Sequence, residues 1–256
     1  MKVPGRKHTT GPVQALGASV DIWQVDLAVT GDDLECLENS LSPDEHRRAS
    51  SYVFAQHRRN FIVARAALRE ILGGYLKCLA REIVFTYGVH GKPRLASLHS
   101  GSQLEFNLSH SGMRALIAVA SGFAVGVDIE EIQPAFATFD MAEIAFSQNE
   151  RDALARLPQK QRVAAFFKCW TSKEAYIKGL GKGLAIPLSE FDVCVLPDVP
   201  ARLVRPYADA QDQNIWSLRG LDAGQGYAAA LAVSEIPTSI VVRPWIFRPN
   251  DLRCPV

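Results

Sequence analysis

Two short segments carry acids at spacings that chemistry can use. Gly126-Val127-Asp128-Ile129-Glu130 is apolar apart from two carboxylates two residues apart. Side chains alternate across a strand, so Asp128 and Glu130 share one face while Val127 and Ile129 take the other. Downstream, Trp170-Thr171-Ser172-Lys173-Glu174-Ala175-Tyr176-Ile177-Lys178 reads as helix. Residues four apart share a helix face, so Phe166, Trp170, Glu174 and Lys178 form one stripe. Glu174 lies in line with two large aromatics, where a bare carboxylate is costly. Two acids from a strand and one from a helix could make an oxygen site for a hard cation such as Mg²⁺. Each feature also has a bland reading. An acidic pair at a strand end is commonly a solvated rim, and Glu174 with Lys178 is an ordinary i,i+4 pair.

Three further groups could meet an anion. Phe106-Asn107-Leu108-Ser109-His110-Ser111 ends a strand in polar side chains, from which His110 could reach a phosphate oxygen and Ser109 could donate. A plain turn with ordinary caps is the competing reading. A Ser-His hydrolase dyad is poorly supported, because adjacent strand residues point to opposite faces and no G-x-S-x-G elbow is present. His90-Gly91-Lys92-Pro93 is a tight loop with one cation, and it lacks the Walker A spacing. Arg47, Arg48, Arg58, Arg59, Arg65 and Arg69 concentrate basic charge in the first half. Arg58, Arg65 and Arg69 fall near one helix face, for which solvation is the default expectation. Arginine also binds phosphate monoesters through two hydrogen bonds.

The elements that must position these groups are legible in the residue pattern. Ser19–Leu27 alternates as a strand. Ser42 caps a helix that opens on Pro43. A second helix runs from Arg58 to about Leu79, with a break expected near Gly73-Gly74. Strands follow at Ile83–Thr86, Leu104–Ser109 and Ala115–Ala120, and Ser121-Gly122 turns into the strand of Asp128. Then come a short helix at Gln148–Arg156 and a long one at Gln161–Lys178, ended by glycines. Further strands are expected at Phe191–Leu196, Ala201–Val204, Ile215–Leu218 and Tyr227–Val233. Leu116–Val119 resembles Ala230–Val233, and Phe61…Ile71…Gly73 has the spacing of Phe167…Ile177…Gly179. These echoes suggest an α+β fold of two similar halves with a ligand cleft between them. The expected division is a loose tail at 1–18, a first half at 19–124 and a second at 125–256.

Composition bounds the function. The 256 residues carry a net charge of +1, which gives no support for nucleic-acid binding. Five scattered cysteines without a CxxC fit free thiols in a reducing cytoplasm. No stretch is long enough to span a membrane, and no signal peptide is expected.

Taken together the motifs resemble the 4'-phosphopantetheinyl transferase superfamily, in its surfactin-synthetase-activating (Sfp-type) branch. The resemblance runs from about Ser42 to about Phe191. It rests on Gly91-Lys92-Pro93, Phe106–Ser111, Gly126–Glu130 and Trp170-x-x-Lys173-Glu174-Ala175-x-x-Lys178, in that order, with Phe146-Ser147-x-x-Glu150 between the last two. The last two blocks are the specific ones. The resemblance implies two α+β halves related by pseudo-twofold symmetry in a monomer. It implies transfer of the phosphopantetheine arm of coenzyme A to a serine of an acyl or peptidyl carrier protein, leaving 3',5'-ADP. It implies Asp128, Glu130 and Glu174 as ligands of Mg²⁺ (Mn²⁺ is the alternative). Lys178 and His110 would meet the diphosphate, and Lys92, Pro93 and Ser109 the nucleotide or phosphates. Glu174 would be the general base, with Glu130 or a water on the metal as alternatives. For the 3'-phosphate, Arg48 and Arg59 are the best matches, because Glu45 stands where family members often carry lysine. Trp170 reads as packing that orients the helix. The rivals are another Mg²⁺-dependent enzyme of phosphoric esters, which would need no carrier, and a non-catalytic carrier-binding relative.

Overall fold

The computed structural model describes residues 19–207 and 216–247; the expected tail at 1–18 lies outside them. Strand β1 spans Ser19–Asp26, and helices α1, α2 and α3 span Asp32–Glu38, Pro43–Ser50 and Ala55–Leu76. Short strands β2 (Phe85–Tyr87) and β3 (Pro93–Leu95) pair with each other. Strands β4 (Leu104–Ser111), β5 (Arg114–Ser121) and β6 (Val125–Glu131) follow. Helices α4, α5 and α6 span Phe139–Ala145, Gln148–Arg156 and Gln159–Leu180. Strands β7 (Asp192–Val193), β8 (Leu203–Arg205), β9 (Ser217–Leu221), β10 (Tyr227–Val233) and β11 (Ser239–Trp245) end the described chain.

The expected repeat is present in the topology. The first sheet contains the order β1-β5-β4, and the second sheet has the order β6-β10-β9. In each half a 22-residue helix, α3 or α6, comes between the first strand and the hairpin that completes the sheet. The two sheets pack face to face. Val20, Ile22, Leu116, Ala118 and Ala120 from one meet Val125, Val127, Ile129, Leu231 and Val233 from the other in one buried cluster. The alternate residues of each sheet turn outward to its own helix: Ala115, Ile117 and Val119 towards α3, Ala230 and Ala232 towards α6. Strand β5 is therefore apolar on both faces, because it is covered on both.

The halves also share an internal ion pair. Ser42 and Ser147 each open a helix, and the N–H of each is accepted by the acid three residues on, Glu45 at 3.0 Å and Glu150 at 2.9 Å. Each of these buried acids then meets a base on the long helix. Arg69 Nε reaches Glu45 at 2.6 Å, and Lys173 Nζ reaches Glu150 at 2.8 Å. Each base also donates to two carbonyls in the chain just beyond the helix: Ala80 and Ile83 for Arg69, Leu188 and Phe191 for Lys173.

Several expectations need correction. Arg65 and Arg69 do not form a solvated face; both are buried against Glu45, and Arg58 pairs with Glu38 at 2.5 Å. Helix α3 does not break at Gly73-Gly74, because Leu72 and Leu76 hold it to the core. Gly73 instead lets the carbonyl of Cys78 approach the helix where a Cβ would collide. Strand β7 is only two residues long, and α4, capped by the Thr138 side chain, was not foreseen. Strand β11 runs parallel to β1 and joins the first sheet, so residues 239–245 do not stay with the half in which 125–256 places them.

Candidate active site

Strand β6 and helix α6 meet backbone to backbone. A Cβ on Gly126 would fall on the Ala175 carbonyl and the Gly179 amide, and one on Gly179 would strike the Trp216 ring. The two glycines thus set how deeply α6 sits on β6. Two residues further along the strand, Asp128 faces the same helix. Lys178 Nζ stands 2.5 Å from Asp128 Oδ1 and 3.0 Å from Ser109 Oγ, and Ser109 Oγ donates to the same carboxylate oxygen at 2.8 Å. Ser109 comes from β4, so both halves contribute. Its one hydroxyl proton is directed at Asp128, so it is not shared with His110 as a Ser-His dyad would require.

The electrostatics mark the three acids as a unit. Burial pushes Asp128 up from the usual carboxylate range, and Lys178 opposes this. Burial and then the Asp128 charge raise Glu130. Burial raises Glu174 to about 6; the charges of Asp128 and Glu130 add to the rise, and Lys178 opposes it. Burial pulls Lys178 down, but Asp128, then Glu174 and Glu130, hold it above its ordinary value. Among the described residues no three acids, histidines or cysteines stand ready-made around a metal. The donor set still suits a hard cation. It is all carboxylate, its members disfavour one another's charge, and Asp128 Oδ2 is buried without a hydrogen-bond partner.

Basic side chains lie beside this unit. His110 is the last residue but one of β4; desolvation by the surrounding protein, then the charges of Lys178, His57 and Arg48, depress its pKa. Arg48 lies over the Phe61 ring with its guanidinium carbon 5.4 Å from the centroid. Arg59 Nη2 donates only to the Met113 sulfur, at 3.3 Å, and Arg59 Nε is buried with no partner. Neither arginine has a carboxylate within ion-pair distance among the described residues, in contrast to Arg58, Arg65 and Arg69. Lys92 reaches the carbonyls of Val125 and Gly179, at 3.4 and 3.3 Å, and burial lowers its pKa to about 8. Pro93 opens β3 and lines a small cavity with Arg94, Glu105 and Phe106.

The structure therefore brings together Asp128, Glu130, Glu174, Lys178, Ser109 and His110, with Arg48 close enough to act on His110. Sequence reasoning missed the task of Ser111, whose hydroxyl donates to Glu130 Oε2 at 2.8 Å. A third polar residue two beyond Ser109, on the same strand face, was the available signal. The Trp170 ring packs edge-on against Phe136 at 5.3 Å, as the packing expectation has it.

Residues 124–232 match the family profile described as the 4'-phosphopantetheinyl transferase superfamily, and residues 28–122 match that described as 4'-phosphopantetheinyl transferase, N-terminal. The chain is 37% identical over 219 residues to 4'-phosphopantetheinyl transferase HetI of Nostoc sp., spanning 86% of this chain and 89% of that protein. It is 33% identical to 4'-phosphopantetheinyl transferase psf-1 of Bacillus pumilus, over 69% of this chain and 73% of that one. It is 28% identical to 4'-phosphopantetheinyl transferase Sfp of Bacillus subtilis, over 80% of this chain and 94% of that one. The chain belongs to the 4'-phosphopantetheinyl transferase superfamily and to its Sfp-type branch, and it is an enzyme of that class. Among the described residues no helix is long and apolar enough to cross a membrane.

Proposed function

We propose that this protein moves the 4'-phosphopantetheine arm of coenzyme A to a serine hydroxyl of an acyl or peptidyl carrier protein, with Mg²⁺ or Mn²⁺. The serine oxygen attacks the phosphorus next to the pantetheine arm. The bond from that phosphorus to the bridging oxygen breaks, and 3',5'-ADP leaves. The observation that carries this reading is the buried Asp128, joined to Lys178 and Ser109 with its second oxygen unpartnered, among Glu130 and Glu174 and beside Arg59, which has no acid partner among the described residues.

Asp128, Glu130 and Glu174 would hold the metal, which neutralises diphosphate charge when bound. Lys178 and His110 contact the diphosphate from opposite halves, and Ser109 and Lys92 line its approach. Arg48 and Arg59 take the 3'-phosphate, since arginine matches a phosphate monoester and these two are not spent on acids. Glu174 would accept the serine proton, with Glu130 or a water on the metal as the alternatives. The two halves already supply both sides of the site, so the protein acts as a monomer. Four described cysteines are free thiols, which suits the cytoplasm.

The test is the intact mass of an apo carrier protein incubated with this protein, coenzyme A and Mg²⁺, with an EDTA control. A gain of one phosphopantetheine that EDTA abolishes is the expected result. No gain across fatty-acid, polyketide and peptide carriers, with the protein folded and coenzyme A bound, would leave a carrier-binding role without transfer.

A further inference from the structure

Strands β4 and β6 lie in different sheets and different halves, and no backbone ladder joins them. Side chains make the joint instead. Asn107 Oδ1 accepts from the Val127 N–H at 2.9 Å. Ser109 Oγ meets Asp128. Ser111 Oγ donates to Glu130 Oε2 at 2.8 Å and accepts from the Glu131 N–H at 3.0 Å. The three β4 residues are two apart, so they share one face. Their partners advance in the same direction along β6, as in a parallel pair. Strand β6 is the edge of its sheet, and an edge strand presents N–H groups that need partners. Asn107 and Ser111 supply them at residues 127 and 131.

We propose that Ser111 is a positioning residue that aims Glu130 at the metal, with Asn107 fixing the height of β6 below it. The inference rests on the metal reading above. A serine hydroxyl has one proton. Because the Glu131 N–H occupies a lone pair of Ser111, the proton is directed at Glu130. Glu130 is thus held across the joint by Ser111, and its carboxylate is oriented before any ligand arrives. Ser111 itself touches neither Asp128 nor Lys178 through a hydrogen bond among the described residues, so its role separates from that of Ser109.

Two variants test this, Ser111→Ala and Ser111→Thr, each checked for folding by its thermal melt. Mn²⁺ binding is read by electron paramagnetic resonance with coenzyme A present, transfer is titrated with Mg²⁺, and coenzyme A affinity is measured in EDTA. Ser111→Ala is expected to raise both the Mn²⁺ dissociation constant and the half-saturating Mg²⁺ concentration about tenfold. The rate at saturating metal and the EDTA affinity for coenzyme A stay near wild type, and Ser111→Thr restores metal binding. A folded Ser111→Ala with wild-type Mn²⁺ affinity overturns the inference alone, provided wild type binds metal and transfers. A loss of coenzyme A affinity in EDTA also overturns it, since Ser111 would then contact the ligand. Wild type that neither binds Mn²⁺ nor transfers overturns the function reading and this inference with it.

Discussion

Lys178 Nζ stands 2.5 Å from Asp128 Oδ1, while Asp128 Oδ2 is buried with no hydrogen-bond partner. Asp128 is 1% exposed, so its charge is held by this one ammonium and the Ser109 hydroxyl. A carboxylate so placed has one oxygen committed and one free for a cation. Asp128→Ala and Glu174→Ala are each expected to lower transfer at least about a hundredfold. Their circular dichroism should match wild type. An unchanged turnover rate in either variant, with Mg²⁺ present, would remove the metal assignment.

Arg59 offers a guanidinium whose only described polar partner is a thioether. If it holds the 3'-phosphate, Arg59→Ala weakens coenzyme A by about tenfold or more and dephospho-coenzyme A hardly at all, in line with a lost charge-assisted hydrogen bond of about 1.5–3 kcal/mol. Calorimetric titration of both ligands reads the difference. Equal losses for the two would exclude the 3'-phosphate role.

Lys92 carries a pH dependence of known sign. Burial lowers its pKa in the folded protein to about 8 from an ordinary 10.5. Between those values the unfolded chain binds more protons, so the Lys92 contribution to stability rises with pH across that window. The melting temperature of wild type relative to Lys92→Met should therefore climb between pH 8 and pH 10. Coenzyme A affinity should move the other way, falling as the ammonium loses its proton, and this limb should be missing in Lys92→Met. A flat difference in melting temperature would show that Lys92 is not desolvated.

Lys173 is fully buried against Glu150, which is 2% exposed. Removing the base leaves an acid and two carbonyls without their partner. Lys173→Met is expected to cost about 3–5 kcal/mol of stability, read from urea denaturation. Lys173→Met combined with Glu150→Gln should cost less than the sum of the two single changes, because the second change removes the stranded charge. Strict additivity would mean that the pair does not act as one unit.

Local pattern already contained much of this architecture. The alternation at residues 126–130 placed Asp128 and Glu130 on one face, and Val127 and Ile129 do turn to the core between the sheets. Four-residue spacing placed Glu174 and Lys178 together on α6. Ser42 and Ser147 announce helix starts through residues three apart. Such signals are local, and the backbone reads them wherever the rest of the chain lies. The weak echo between Leu116–Val119 and Ala230–Val233 marked the central strands of the two sheets, because both are apolar on both faces.

The uses of identical side chains were settled only in three dimensions. Six arginines in the first half look alike as a string. Arg65 and Arg69 are buried on Glu45, Arg58 is spent on Glu38, and Arg48 and Arg59 have no acid. Glu45, which departs from the expected lysine, is the acid those two buried bases require. Strand β11 returns to β1 from more than two hundred residues away, an order that no local period encodes. The sequence by itself determined the chemical groups, the faces they share and the doubled plan. Tertiary structure decided which group meets which, because a partner 20 or 70 residues distant is chosen by packing geometry and not by spacing along the chain.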